Sequence, residues 1–144
     1  MKKILLLLLL SLGLFTVWFY IRHPLTTRVE IRGHTFNVDV AVTGKEKELG
    51  LGYRDHLDEG SGMIFPYDHK EQYRFWMKGM RFPLDIIWIR DNSIVDISKN
   101  VPVASPGAYP EYMPSVPVNK VLELNAGTAD RIGATIGDLV RIIN

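Results

Sequence analysis

The pattern of apolar and polar positions divides the chain in two. From Ile4 to Ile21, behind Lys2 and Lys3, the run is almost purely apolar. Its eighteen positions make about 27 Å of helix at about 1.5 Å per residue, near the hydrocarbon thickness of a bilayer. A cleavable leader would have a shorter apolar core and a small-x-small site, whereas apolar residues continue for eight positions beyond Ser11-Leu12-Gly13. Residues 1–22 therefore read as one uncleaved transmembrane helix in the cell membrane, single-pass, with residues 4–21 in the lipid bilayer. Lys2 and Lys3 stay cytoplasmic, Trp18 and Tyr20 sit near the outer interface, and the rest of the chain lies outside. Residues 23–27 are a short tether.

From residue 28 the period becomes two, the signature of strands. Val29 and Ile31 share one face of a strand over Arg28–Arg32, and Gly33-His34 turns into Thr35–Val42. There Phe36, Val38, Val40 and Val42 face inward, against Thr35, Asn37 and Asp39. Thr43 followed by Glu46 predicts a capping box opening a short helix, held by packing of Leu49 and Leu51. Met63–Phe65 reads as a brief buried strand ended by Pro66. Leu84–Arg90 is apolar on both faces, as in a strand covered on both sides, and Asp91-Asn92 turns it into Ser93–Lys99. Five prolines between Pro102 and Pro117 exclude a helix or central strand there. Asn119–Leu124, a helical turn after Gly127 and Leu139–Ile143 complete the list. Many short strands with turn signals predict a mainly β (α+β) domain over residues 28–144. Its architecture would be a small closed or half-closed β-barrel with two short helices, since closure removes exposed edges.

One residue resists the pattern. Asp85 shares a face with Ile87 and Ile89, and a buried carboxylate must find a counter-charge, accept strong hydrogen bonds or shift its pKa. The donors nearest in sequence are Trp76, Lys78 and Arg81. Either these form a pocket in which Asp85 and Lys78 face an aromatic wall, or the motif is a buried ion pair among packed tryptophans. Tyr109, Tyr112 and Met113 of the proline-rich stretch form a lid over this region, or that stretch is a crossover clamped to the barrel exterior.

The residues Gly62, Met63 and Phe65, then Phe75-Trp76-Met77-Lys78, Leu84-Asp85-Ile86-Ile87 and Val121 through Gly127 occur in this order over residues 28–143. In these motifs the chain resembles the family called domain of unknown function 192. Two departures stand out: Gly79-Met80 replaces the usual Asn-Thr, and Gly52 replaces the usual Met of a Gly-Leu-Met segment. The resemblance implies a fold and no agreed activity.

Charge and composition narrow the functions. Lys2, Lys3 and Arg22 account for three of the 17 basic side chains, leaving 14 against all 16 acidic ones, a net of −2 for residues 23–144. A nucleic-acid partner, which needs a basic face, is excluded. With no cysteine there is no disulfide and no thiolate metal site, and the four histidines are scattered, so neither metal nor cofactor is expected. Neither a Gly-x-Ser-x-Gly elbow nor a phosphate loop occurs.

Three functions remain. The first is a binding module for a small molecule, glycan or peptide, using Trp76, Lys78, Arg81, Asp85, Tyr109 and Tyr112, with Trp88 in the aromatic wall and Arg74 as a further cation. An aromatic wall with a few convergent polar groups suits such a site. The second is a hydrolase with Asp85 and Glu123 as acid and base and Lys78 beside them, whose sign would be a raised carboxylate pKa at an open cavity. The third is a structural or partner-binding domain, in which the motif is core and no cavity lies near Asp85.

Overall fold

The computed structural model describes residues 27–105 and 107–143. The transmembrane helix and most of the tether read from the sequence lie outside these residues. Among the described residues no helix is long and apolar enough to cross a membrane.

Among the described residues nine strands and two short helices follow one another as β1 (Thr27–Ile31), β2 (His34–Val40), α1 (Gly44–Leu49), β3 (Ser61–Glu71), β4 (Phe75–Trp76), β5 (Leu84–Arg90), β6 (Ser93–Val101), β7 (Glu111–Tyr112), β8 (Val118–Asn125), α2 (Thr128–Arg131) and β9 (Val140–Ile143). Seven strands form one sheet in the order β6-β5-β8-β3-β2-β1-β9, and β4 pairs with β7 in a small ribbon. All neighbours in the large sheet are antiparallel except β2 and β3. The connection between those two runs through α1, as a parallel pair requires a crossover. The sheet curls until the start of β6 meets the turn before β9. Ser93 bridges Leu139, and the Gly137 and Val140 N–H groups donate to Ile94 and Asn92 at 2.8 Å. The result is the half-barrel expected from the turn spacing.

Side chains alternate across the three central strands, so β3, β5 and β8 feed two separate cores. Ile64, Ile87, Ile89, Leu122 and Leu124 point into the curl, where they meet Val29, Ile31, Phe36 and Val38 and are capped by Ala129 and Ile132 of the α2 region. Met63, Phe65, Ile86, Trp88 and Val121 point outward and are covered by Leu51, Phe75, Met77 and Met80. Trp88 is fully buried in that outer layer, edge-on to Phe75 at 5.4 Å, with its indole N–H donating to Ser98. It is core and not part of a ligand wall.

Several local expectations hold. Thr43 and Glu46 form the capping box, with the Glu46 carboxylate taking the Thr43 N–H at 2.7 Å. Its ionised form is favoured by those backbone donors, which hold its pKa below the usual carboxylate range. The Asp91-Asn92 turn joins β5 to β6, with Asp91 at φ 56°. Other expectations need correction. Val40 and Val42 are exposed, because β2 outruns the interior after Val38 and only Ala41 is buried beyond it. Leu51 is buried but Leu49 is half exposed. Pro66 does not end β3, which continues to Glu71 through a register shift. The Ala41 N–H bonds to the Ile64 carbonyl, so by alternation the Pro66 nitrogen faces the same side two residues on, where β2 has already ended. The missing donor therefore leaves no gap in the ladder.

Asp85 is the most informative residue of the frame. It is fully buried on the inner face at the start of β5, and its two oxygens accept the Asn100 N–H at 2.8 Å and the Ala129 N–H at 2.7 Å. The first anchors the end of β6, and the second satisfies an orphan donor in the first turn of α2, whose own N-cap Gly127 has no side chain to do so. Of the ways open to a buried carboxylate, Asp85 takes strong hydrogen bonds, from two backbone amides, and not an ion pair with Lys78. Asp85→Ala leaves both N–H groups without an acceptor and should lower the unfolding free energy by about 3 kcal/mol or more in urea titration. Lys78→Met should change it by less than about 0.5 kcal/mol; equal losses in the two variants would restore the ion pair.

Candidate functional site

The segment Arg74–Lys78 leaves the sheet and crosses the outer core with strand-like alternation. Phe75 and Met77 point inward and are buried, so Arg74, Trp76 and Lys78 all point outward. Tyr112 of β7 pairs with Phe75 and Glu111 pairs with Trp76, fixing this edge. The Glu111 carboxylate accepts from Arg74 at 3.1 Å, holding that guanidinium at the rim. On the opposite side α1 presents Lys47, whose ammonium lies 4.2 Å from the centroid of the Tyr67 ring. Tyr67 in turn stacks on Tyr73, with ring centroids 3.6 Å apart. Burial pushes the Tyr67 hydroxyl up to about 12, so it stays protonated.

Between these walls lies a cavity of about 230 Å³ lined by Lys47, Arg74 and Lys78 at the rim, Tyr67, Phe65 and Trp76 at the sides, and Glu123. Glu123 is 5% exposed, and its Oε2 is the buried side-chain oxygen that, among the described residues, has no hydrogen-bond partner. It stands on β8 opposite Met63 of β3 and Ile86 of β5, an apolar setting. Burial pushes its carboxyl up to about 8, and the positive charge of Arg54 opposes that shift. At neutral pH the site thus holds a largely neutral acid beneath three cationic side chains. Gly50 closes the cavity over it: a Cβ there would lie 3.5 Å from the Phe65 ring and 3.7 Å from Glu123 Oε2. Its φ of 53° and ψ of −135° are open essentially to glycine alone.

The sequence-predicted residues separate accordingly. Trp76 and Lys78 line the cavity, with Arg74, and Glu123 lies at its base. Asp85 does not. In the β5–β8 register Asp85 stands opposite Leu124 while Glu123 stands opposite Ile86, so the two carboxylates occupy opposite faces of one sheet. They cannot act as an acid and base on one substrate. Arg81 is exposed and paired with Asp55, away from the cavity. Tyr109 is exposed and Tyr112 is half-buried against the outer core, and neither lines the cavity. Sequence reading missed Lys47, Glu48 and Tyr67. The capping box predicted the helix that carries Lys47 and Glu48, but not that it would pack beside Glu123. Among the described residues no group of three His, Asp or Glu side chains is placed to hold a metal ion.

Comparison with known proteins finds one family and two solved structures of similar fold. The family profile DUF192, described as "Uncharacterized ACR", matches residues 27–142. A crystal structure of a protein of unknown function from Novosphingobium aromaticivorans is similar with 32% identity and a TM-score of 0.72, covering 83% of this chain and 89% of that one. A protein from Sinorhizobium meliloti described as a candidate transcription regulator is similar with 35% identity and a TM-score of 0.72, covering 81% of this chain and 93% of that one. A search of curated proteins found no significant match.

The raised carboxyl has a signed consequence for stability. The folded state keeps the Glu123 proton to about pH 8 while the unfolded chain loses it near 4.5, so folded protein binds more protons between those values. Stability should fall as pH rises through this window, at up to about 1.4 kcal/mol per pH unit. Glu123→Gln should match the parent near pH 4 and be the more stable of the two at pH 8, in urea titrations at both values. A parent that is steadiest at pH 8 would show the carboxyl to be ionised and paired. Gly50→Ala should cost about 1 to 3 kcal/mol from backbone strain, measured the same way.

Proposed function

The chain belongs to the DUF192 family, and within that frame we propose that the domain is a binding module for a small anionic molecule held in the Glu123 cavity. The observation that carries this reading is a buried carboxyl with an unpartnered oxygen at the base of an open cavity rimmed by Lys47, Arg74 and Lys78. A buried polar group without a partner costs about 1 to 3 kcal/mol, and a ligand hydroxyl or carbonyl that pairs with it recovers that loss. As a neutral acid Glu123 donates to such an oxygen instead of repelling an anion. The rim cations meet the ionised end, and the half-exposed Trp76 covers the apolar part. The cavity lies just below the usual range for drug-sized ligands, which favours a small molecule or the terminal unit of a longer one.

A second reading draws on the same carboxyl. A pKa near 8 beside a cavity suits a general acid, and a hydrolase built here would use Glu123 without Asp85. It would need a second group from the rim, of which Glu48 is the acidic candidate. Turnover of a bound ester or glycoside that vanishes in Glu123→Gln while binding persists would favour it. We also propose that residues 4–21 anchor the chain in the lipid bilayer with the domain outside. The apolar length and the two flanking lysines support this, and protection of the domain from protease in sealed spheroplasts would overturn it.

Calorimetry with succinate, galacturonate and neutral galactose at low salt tests the binding reading. At least one of the two acids should bind, more weakly as salt rises, and galactose should bind at least tenfold less well. Lys47→Met and Lys78→Met should each weaken the acid about tenfold, a loss of about 1.4 kcal/mol, without moving Tm. Equal binding of acid and neutral sugar would refute the anion preference, and no binding at all would refute the module.

A further inference from the structure

A second cavity of about 220 Å³ lies on the other side of Trp76 and Lys78, lined by Lys45, Glu48, Leu49, Tyr53, Trp76 and Lys78. Four of these six residues, Glu48, Leu49, Trp76 and Lys78, also line the Glu123 cavity, so the two spaces are halves of one groove divided by the Trp76–Lys78 ridge. Its apolar surface is unusually open. Tyr53, Leu49 and Trp76 are 62%, 50% and 41% exposed, side by side on one face.

Tyr53 is held there by the backbone. It adopts a left-handed φ of 65°, rare for a large side chain, and its N–H donates to the Gly79 carbonyl at 2.8 Å. Its ring lies against Gly79, where a Cβ would come within 2.8 Å of the tyrosine Cζ. A Cβ at Gly52 would likewise meet the Leu49 carbonyl at 2.8 Å and the Lys78 carbonyl at 3.2 Å. The two departures from the family pattern are therefore one feature in space: the loop at Gly52 closes onto the turn at Gly79 and sets Tyr53 as a flat shelf beside Trp76. Any side chain at position 79 would displace that shelf.

We infer that Tyr53 and Lys45 form a second subsite, and that the full groove takes a carboxylated glycan of at least two sugar rings, one on each side of Trp76. This rests on the binding reading of the Glu123 cavity. Two shallow cavities open to solvent do not enclose an apolar ligand, and with Arg74 paired to Glu111 the groove's remaining cations, Lys45, Lys47 and Lys78, still outnumber Glu48 in a domain that is otherwise net acidic. A pyranose ring has the matching character, with a C–H face to lie on an aromatic ring and hydroxyls around its edge. Carboxylates on successive rings would meet Lys78 on the ridge and the lysines of α1, and the ring in the first cavity would place a hydroxyl at Glu123 Oε2.

The test compares digalacturonate with galacturonate on the full-length chain by calorimetry, with thermal unfolding of each variant recorded alongside. The two-ring acid should bind at least tenfold more tightly than the single ring. Tyr53→Ala should remove that advantage while leaving galacturonate affinity and Tm unchanged, Tyr53→Phe should retain it, and Lys45→Met should reduce it about threefold. Equal affinity of the two acids, or an advantage that survives Tyr53→Ala and Lys45→Met, overturns the second subsite and leaves the Glu123 cavity standing. If neither sugar acid binds while succinate does, the glycan class is overturned and the anion site remains. If succinate also fails, the binding reading falls with it.

Discussion

A single buried carboxylate holds three separate pieces of this chain in register. Asp85 stands at the start of β5 and takes N–H groups from the end of β6 and from the first turn of α2, joining residues far apart in sequence at one point. Its acceptor pair does for α2 what a side-chain cap would do, and the glycine at that helix's N-cap can supply none. Fixing the start of β5 also fixes which of its faces looks inward, because a slip of one residue would exchange them all. The inner core and the outer layer that carries the cavity are both consequences of that choice.

The outer layer then places an acid on an apolar face of the sheet at the base of the cavity. Glu123 is one residue from Leu122 and Leu124, which fill the interior, yet it faces Met63 and Ile86 on the other side of the sheet. Alternation alone puts it there. Its sheet neighbours are apolar, and the charge of Arg54 offsets only part of the cost of burying it. A core built only for stability would carry an apolar residue at this position, and an orphaned carboxyl beside an open cavity is the kind of local conflict that natural proteins keep at working sites.

Much of the frame was legible in the sequence because it rests on period-two patterning and turn chemistry. The doubly apolar Leu84–Arg90, the Asp91-Asn92 turn, the Thr43–Glu46 box and the half-barrel all follow from local rules. What failed were inferences about partners across the fold. For Asp85 the donors considered were those near it in sequence, Trp76, Lys78 and Arg81, but its actual partners lie at positions 100 and 129, which only the sheet order brings near. Glu123 was grouped with Asp85 as acid and base, yet its separation from Asp85 depends on the β5–β8 register, and no periodicity within one strand reveals that. The wall contributed by Lys47 and Tyr67 depends on where α1 settles, a matter of tertiary packing. Pro66 misled for the opposite reason: proline is barred from central strands only where its nitrogen faces a neighbour.

The pairing of β1 with β9 reaches beyond the folded state. The first strand of the domain to be synthesised finds its outer neighbour in the last, and β5 reaches β8 only after the proline-rich crossover has been made. Contacts of such long sequence separation form slowly, since their loop entropy must be met before they stabilise anything. A chain truncated before residue 140 lacks the strand that covers one side of β1, and until then β1 offers an unpaired edge to any other strand nearby. Folding is therefore completed only after the whole domain has been made, and the interval before β9 docks is when this protein is most exposed to misassembly.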